Sequence, residues 1–268
     1  MTTLDLGFIG TGRIARALIA ALHTNPEIRI TGFDRDPATL HGIVTEFGIN
    51  AVHSVAAIGE ACRVMILAVK PYQIAEVAVE LRPVLRPDHL LISVAAGISS
   101  TYIEQQAETD AGLKVIRAMP NTPALIGEGM IALACGTHAT AADRECAAML
   151  FRPAGRVLFV EEQQMDAVTA LSGSGPAYMF HILDALADAG KACGLSYDDA
   201  LLLATQTMLG AARMMQSGTK SPAELEREVT TPGGTTEAGL RAMDAGNIRA
   251  LMNETVAAAA RRAKELML

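Results

Sequence analysis

The chain has no tryptophan, and aromatic residues make up only 4% of it. Its apolar share is nevertheless 50%, so the core must be built from Ala, Val, Ile, Leu and Met. That composition argues against disorder and fits a helix-rich or α/β globular fold. Cysteine is scarce: Cys62, Cys135, Cys146 and Cys193 form no CxxC pair and have no histidine at metal-ligand spacing. A disulfide framework and a metal centre are therefore not expected, and buried free thiols in a reducing compartment are. No basic run is present and the formal net charge is -7, so nucleic acid is not an expected partner. Every apolar run is interrupted by Lys, Asp, Gly or Pro before it reaches membrane-spanning length, so no membrane is expected either. The opening Met1-Thr2-Thr3-Leu4-Asp5-Leu6-Gly7 lacks the basic stretch and cleavage site of a secretion signal. These absences predict a soluble, cytoplasmic protein.

What is present falls into two halves. Through residues 1–160, short apolar runs alternate with helical stretches. Strands are expected at Leu6–Ile9, Ile28–Phe33, Val64–Val69, Leu90–Val94, Lys114–Arg117, Gly129–Leu133 and Val157–Val160, with a helix over Arg13–His23. Such alternation predicts a mainly parallel sheet with helices on both faces, a Rossmann-type α/β domain. Residues 161–268 lose the β-branched runs and carry Ala, Leu and Met at helical spacing, which predicts an all-helical domain. Helices are expected over Ala177–Ala192, Tyr197–Met215 and Asn247–Leu266. Ser221-Pro222-Ala223-Glu224 reads as a capping box with proline at the first helical position. The Tyr197–Met215 run carries few charges, which suits burial against a second copy of the chain; packing on the first domain is the plainer alternative.

Gly10-Thr11-Gly12-Arg13-Ile14-Ala15 follows the first strand and opens the first helix, as a dinucleotide fingerprint does. Gly10 permits the tight turn, Gly12 lets a pyrophosphate reach the backbone, and Ala15 allows helix and strand to pack closely. At the end of the second strand, Asp34 is suited to ribose hydroxyls and Arg35 to a 2′-phosphate, and charge alone does not choose between them. Ala68-Val69-Lys70-Pro71, Ser93-Val94-Ala95-Ala96-Gly97 and Met119-Pro120-Asn121-Thr122-Pro123 end later strands, where open α/β sheets place their ligands. Two prolines stiffen the last of these loops and present Asn121 as a fixed amide; a plain Asx turn is the alternative.

Thr230-Thr231-Pro232-Gly233-Gly234-Thr235-Thr236-Glu237 lies between two helical stretches. Adjacent glycines expose successive N–H groups, threonine hydroxyls flank them, and a helix begins at once. The expected product is a small anion trap suited to a carboxylate and one neighbouring polar atom.

These motifs, with Ser172-Gly173-Ser174-Gly175-Pro176-Ala177-Tyr178 between them, occur in an order that resembles pyrroline-5-carboxylate reductase from end to end. The resemblance implies reduction of the cyclic imine of 1-pyrroline-5-carboxylate to L-proline with NADPH by the family's habit, NADH being the alternative, and a homodimer that the family often builds into rings. It implies that Gly10, Thr11, Gly12, Arg13 and Ile14 hold the pyrophosphate. Asp34, Arg35, Ala68, Val69, Lys70 and Pro71 take the ribose side, and Ala95, Ala96, Gly97 and Asn121 the nicotinamide end. It assigns Ser174, Gly175, Thr231, Gly233, Gly234, Thr235 and Thr236 to the substrate, with the last turn supplied by the partner subunit. Thr236 is the implied catalytic residue, orienting and hydrogen-bonding the imine nitrogen.

Arg13-Ile14 departs from the Asn-Met usual in the family; either the phosphate loop gains a positive charge or Arg13 points to solvent. A β-hydroxyacid dehydrogenase shares the two-domain plan, but the helix opening at Gly175 offers no lysine before Lys191. Ser172-Gly173-Ser174-Gly175 lacks the G-x-S-x-G spacing of a hydrolase. A non-catalytic coenzyme sensor has no need of the Gly233–Thr236 pocket.

Overall fold

The computed structural model describes residues 3–108 and 112–266. Eight strands form one sheet in the order β3-β2-β1-β4-β5-β6-β7-β8. They are β1 (Leu4–Ile9), β2 (Ile28–Phe33), β3 (Asn50–Ala51), β4 (Val64–Leu67), β5 (Leu90–Ser93), β6 (Lys114–Met119), β7 (Gly129–Cys135) and β8 (Gly155–Phe159). The central strands read VMIL and LLIS with every residue buried, as strands covered on both faces must.

Alternate residues of these strands feed two separate cores. On one face Leu6, Phe8, Val64, Ile66, Leu90 and Ile92 pack with α1 (Arg13–Leu22), α2 (Pro37–Phe47) and, further along the chain, the helix Ala141–Phe151. On the other, Ile9, Met65, Leu67 and Leu91 pack with α3 (Val55–Ala61), α4 (Ile74–Leu81) and α5 (Ser100–Ala107). The period-2 alternation of a strand thus becomes a three-layer sandwich. Each fully buried Val, Leu or Ile contributes about 1.5–3 kcal/mol by leaving water.

Pairing is parallel throughout except between β6 and β7. Only residues 120–128 join those two strands, too few for a crossover, so the chain reverses. Four strands are longer than the sequence suggests, β1 and β8 beginning at Leu4 and Gly155 and β6 and β7 running to Met119 and Cys135; β4 and β5 stop short, at Leu67 and Ser93, and β3 is an addition. Its two exposed residues carry no apolar pattern.

The helix Ala141–Phe151 is α6, followed by the short α7 (Met165–Val168). Beyond it come α8 (Gly175–Ala192), α9 (Tyr197–Gln216), α10 (Pro222–Glu228), α11 (Thr235–Ala245) and α12 (Ile248–Glu265), with no strand among them. Ser221 and Glu224 form the reciprocal cap at the start of α10. Two compact units result, Met1–Ser174 with Ala259–Leu268, and Gly175–Ala258, so the division falls after Ser174 rather than after residue 160, and the end of the last helix counts with the first unit. Among the described residues no helix is long and apolar enough to cross a membrane.

His89, ahead of β5, is fully buried. Its Nδ1 accepts from the Arg86 N–H at 3.2 Å, and its Nε2 has no partner among the described residues. Burial first, and the neighbouring Arg86 cation second, lower its pKa. Below about pH 6.5 the unfolded chain takes up a proton that the folded chain refuses, so stability falls with pH. Thermal unfolding should show the wild type losing Tm between about pH 7 and pH 5 more steeply than His89→Asn. Parallel slopes would remove His89 as the cause.

Candidate active site

The carboxyl ends of β1, β2 and β4 meet where the strand order reverses. Gly10 ends β1 with φ +87°, donates its N–H to Phe33 at 2.8 Å, and lies so close to β4 that a Cβ would stand 2.7 Å from the Ala68 carbonyl oxygen. Only glycine meets both demands. Around Gly12 the space is open, with nothing within 4 Å of a Cβ position. As N-cap of α1 it has no side-chain cap, so the positive pole of the helix faces outward unblocked. Ala15 is fully buried against the sheet.

Asp34 is the clasp of this region. Its Oδ2 accepts from the Thr11 N–H at 2.7 Å and the Thr11 hydroxyl at 3.0 Å, and its Oδ1 accepts from the Asp36 N–H at 2.9 Å. Of the roughly four acceptor positions on a carboxylate, three are filled. Arg35 turns to α4, donating to Glu76 and Glu80 at 2.7 Å each. The result is a cleft of about 230 Å³ lined by Gly10, Gly12, Asp34, Arg35, Ala68, Val69 and Lys70 among the expected residues. Ile9, Phe33, Thr39, Val55, Gln73 and Val77 complete it, none of them singled out from sequence as a site residue. Thr39 and Gln73 lie on helical turns that give no local signal of a ligand.

An unobstructed helix N-terminus, a bare Cα, one free carboxylate position and an apolar wall fit the adenosine and diphosphate of a dinucleotide. Thr11 sits beneath the cleft, buried; Arg13, Ile14 and Pro71 flank its lining. Ala95, Ala96 and Gly97 follow β5 and Asn121 follows β6, one and two strands further along the same sheet edge.

Asn121 has both ends of its amide in use. Its Oδ1 accepts from the Met130 N–H at 2.9 Å and its Nδ2 donates to the Ser172 carbonyl at 3.2 Å. It fastens the turn Thr169–Gly173, whose wider π-type winding ends where the Ser174 N–H meets the Thr169 carbonyl at 2.8 Å. Upstream of that segment, Glu162 accepts from the Ser100 N–H at 2.7 Å and from the buried Arg117 at 3.1 Å and bonds the Ser100 hydroxyl.

In the second unit, the Gly233-Gly234 turn differs from the expected trap. The Gly233 N–H donates to the Glu237 carboxylate at 2.6 Å, and the Gly234 N–H to the Thr231 carbonyl at 2.9 Å. Glu237 also pairs with Arg241 at 2.6 Å. The glycine amides are therefore spent within the turn, because an acidic side chain early in α11 can reach back to them. The backbone amides of Thr235, Thr236 and Glu237, which helix geometry leaves without an internal acceptor, are the donors that remain.

Sheet, glycine turn and cleft define a dinucleotide-binding protein of the Rossmann type. Residues 162–266 match the family model described as pyrroline-5-carboxylate reductase dimerisation, and residues 5–97 the one described as NADP oxidoreductase coenzyme F420-dependent. A pyrroline-5-carboxylate reductase of Arabidopsis thaliana is 40% identical over 98% of this chain and 96% of its own. A solved pyrroline-5-carboxylate reductase from Coxiella burnetii is similar with TM-score 0.92 and 35% identity, covering 100% of both chains. The Plasmodium falciparum pyrroline carboxylate reductase with NADP bound gives 0.83 and 27%, covering 99% of both. The chain belongs to the pyrroline-5-carboxylate reductase family.

Asn121→Asp sets an oxygen against the Ser172 carbonyl and should cost about 1–3 kcal/mol, lowering Tm by several degrees in a thermal melt. An unchanged Tm would show that the Nδ2 bond holds nothing.

Proposed function

We propose that this chain reduces 1-pyrroline-5-carboxylate to L-proline with NAD(P)H, and the observation that carries the reading is identity to named reductases over nearly the whole chain. A bound coenzyme would supply a hydride for the imine carbon, and water would supply the proton that completes the amine at nitrogen. The protein's share is placement: donor and acceptor carbons held about 3–3.5 Å apart account for much of the lowered barrier.

In this reading Gly10, Thr11, Gly12, Arg13 and Ile14 cradle the pyrophosphate. Asp34, Arg35 and Ala68 to Pro71 hold the ribose side, and Ala95, Ala96 and Gly97 the nicotinamide end. Asn121 acts there through the Ser172 carbonyl that it fastens, so it is a positioning residue. Ser174, Gly175, Thr231, Gly233, Gly234, Thr235 and Thr236 form the substrate pocket. The α11 amides of Thr235 and Thr236 receive the substrate carboxylate, supported by the helix pole. Gly233 and Gly234 shape the turn, with Gly233 in the left-handed region at φ +73°. The Thr236 hydroxyl hydrogen-bonds the imine nitrogen; as an isolated alcohol it is too weak an acid to be the proton's source.

A homodimer, with the turn supplied by the second copy, completes the pocket; rings of dimers are its further assembly, and the cytoplasm its compartment. Support comes from the match to the dimerisation model and from apolar side chains left exposed on α8 and α9, Phe180 at 66% and Leu202 at 68%.

Purified protein should oxidise NADPH or NADH, followed by absorbance, only when pyrroline-5-carboxylate is present, with proline formed in equal amount. Protein that binds coenzyme yet turns over none would overturn the assignment. Thr236→Ala should lower kcat by about 10- to 100-fold, the worth of one hydrogen bond to a charged group. Unchanged kcat and KM would remove Thr236 from the mechanism.

A further inference from the structure

Arg35 follows β2 at the position where dinucleotide folds meet the 2′ position of the adenosine ribose, and a free arginine there welcomes a 2′-phosphate. This arginine is not free. Glu76 and Glu80, four residues apart, share one face of α4, while Ile74, Val77, Ala78 and Leu81 of the same helix are buried. The two carboxylates take the two terminal nitrogens of Arg35, at 2.7 Å each. Asp34 carries a further negative charge beside them, and Lys70 is the second cation lining the same cleft. Two positive charges thus face three negative ones where a phosphate carrying nearly two more would have to settle.

We propose that Glu76 and Glu80 are specificity-determining residues of the coenzyme cleft, and that by claiming Arg35 they bias binding against the 2′-phosphate of NADPH relative to the 2′-hydroxyl of NADH. The sequence suggests a contest between Asp34 and Arg35, but the geometry moves it to α4. Asp34 is committed to Thr11 and Asp36, and the availability of Arg35 is set by two residues 41 and 45 positions downstream. A 2′-phosphate can reach the guanidinium only by competing with two carboxylates already bonded to it, in a region only partly screened at physiological salt. A 2′-hydroxyl carries no charge and meets no such barrier.

The inference rests on the coenzyme half of the proposed function and not on imine reduction, so its test is a binding measurement. Dissociation constants for NADPH and NADH are measured by nicotinamide fluorescence on the full chain and on Glu76→Gln/Glu80→Gln. That double variant removes both charges from exposed positions while keeping their size. The ratio of NADH to NADPH dissociation constants should rise by about tenfold in favour of NADPH, as expected for two unit charges a few ångströms from a phosphate near the surface. An unchanged ratio would overturn the proposal. So would a shift toward NADH, which would mean that the two glutamates pre-position Arg35 for the phosphate. Failure of imine turnover leaves these constants measurable and the test intact.

Discussion

The contact between Gly10 and the Ala68 carbonyl is the constraint from which the rest of the nucleotide end follows. It exists because β1 and β4 are neighbours in the sheet though far apart in the chain. Their adjacency brings the first glycine of the fingerprint against the end of another strand, with no room for a side chain. The α1 pole, the bare Gly12 and the wall formed by Ala68, Val69 and Lys70 then converge on one cleft. A parallel sheet always carries its strand ends to the same edge, so later loops after β5 and β6 extend that edge in order.

Along this edge the polar side chains mostly bind other groups of the same chain. Asp34 holds Thr11, Arg35 is held by Glu76 and Glu80, and Asn121 holds Met130 and Ser172; in the second unit Glu237 holds Gly233 in the same way. Family motifs name residues at a site; hydrogen bonds separate those that meet a ligand from those that shape what meets it. A carboxylate satisfied by backbone N–H groups is a structural element before it is a binding group.

The strands, the two-part organisation and the glycine motifs were legible in the sequence because each rests on local grammar. Period-2 burial, a glycine turn between strand and helix, and a capping box at Ser221 are all decided within a few residues. The reversal at β7 depends on loop length, which the sequence shows, but also on which strand receives it, which it does not. Asn121 could be seen as a fixed amide, while its partners, at Met130 and Ser172, are known only once the sheet is assembled. That the two glycine amides are spent within their own turn was hidden for a neighbouring reason. Glu237 stood in plain view, yet its reach back to the Gly233 amide depends on the left-handed turn that Gly233 itself allows. The charge of Arg35 is plain in the sequence but the two glutamates that compensate it are not, because α4 meets Arg35 only in the tertiary fold.

The Asp34 clasp has a consequence for rates as well as for geometry. By tying the turn after β1 to the turn after β2, it removes conformational freedom from the phosphate loop when the chain folds. A loop ordered in advance has less entropy to surrender when a coenzyme arrives, so more of each new contact survives as net affinity. Association then needs no slow search among loop conformations, and the lifetime of the complex is set by how its contacts break. In this protein a single carboxylate that faces inward makes the cleft a preformed receptor.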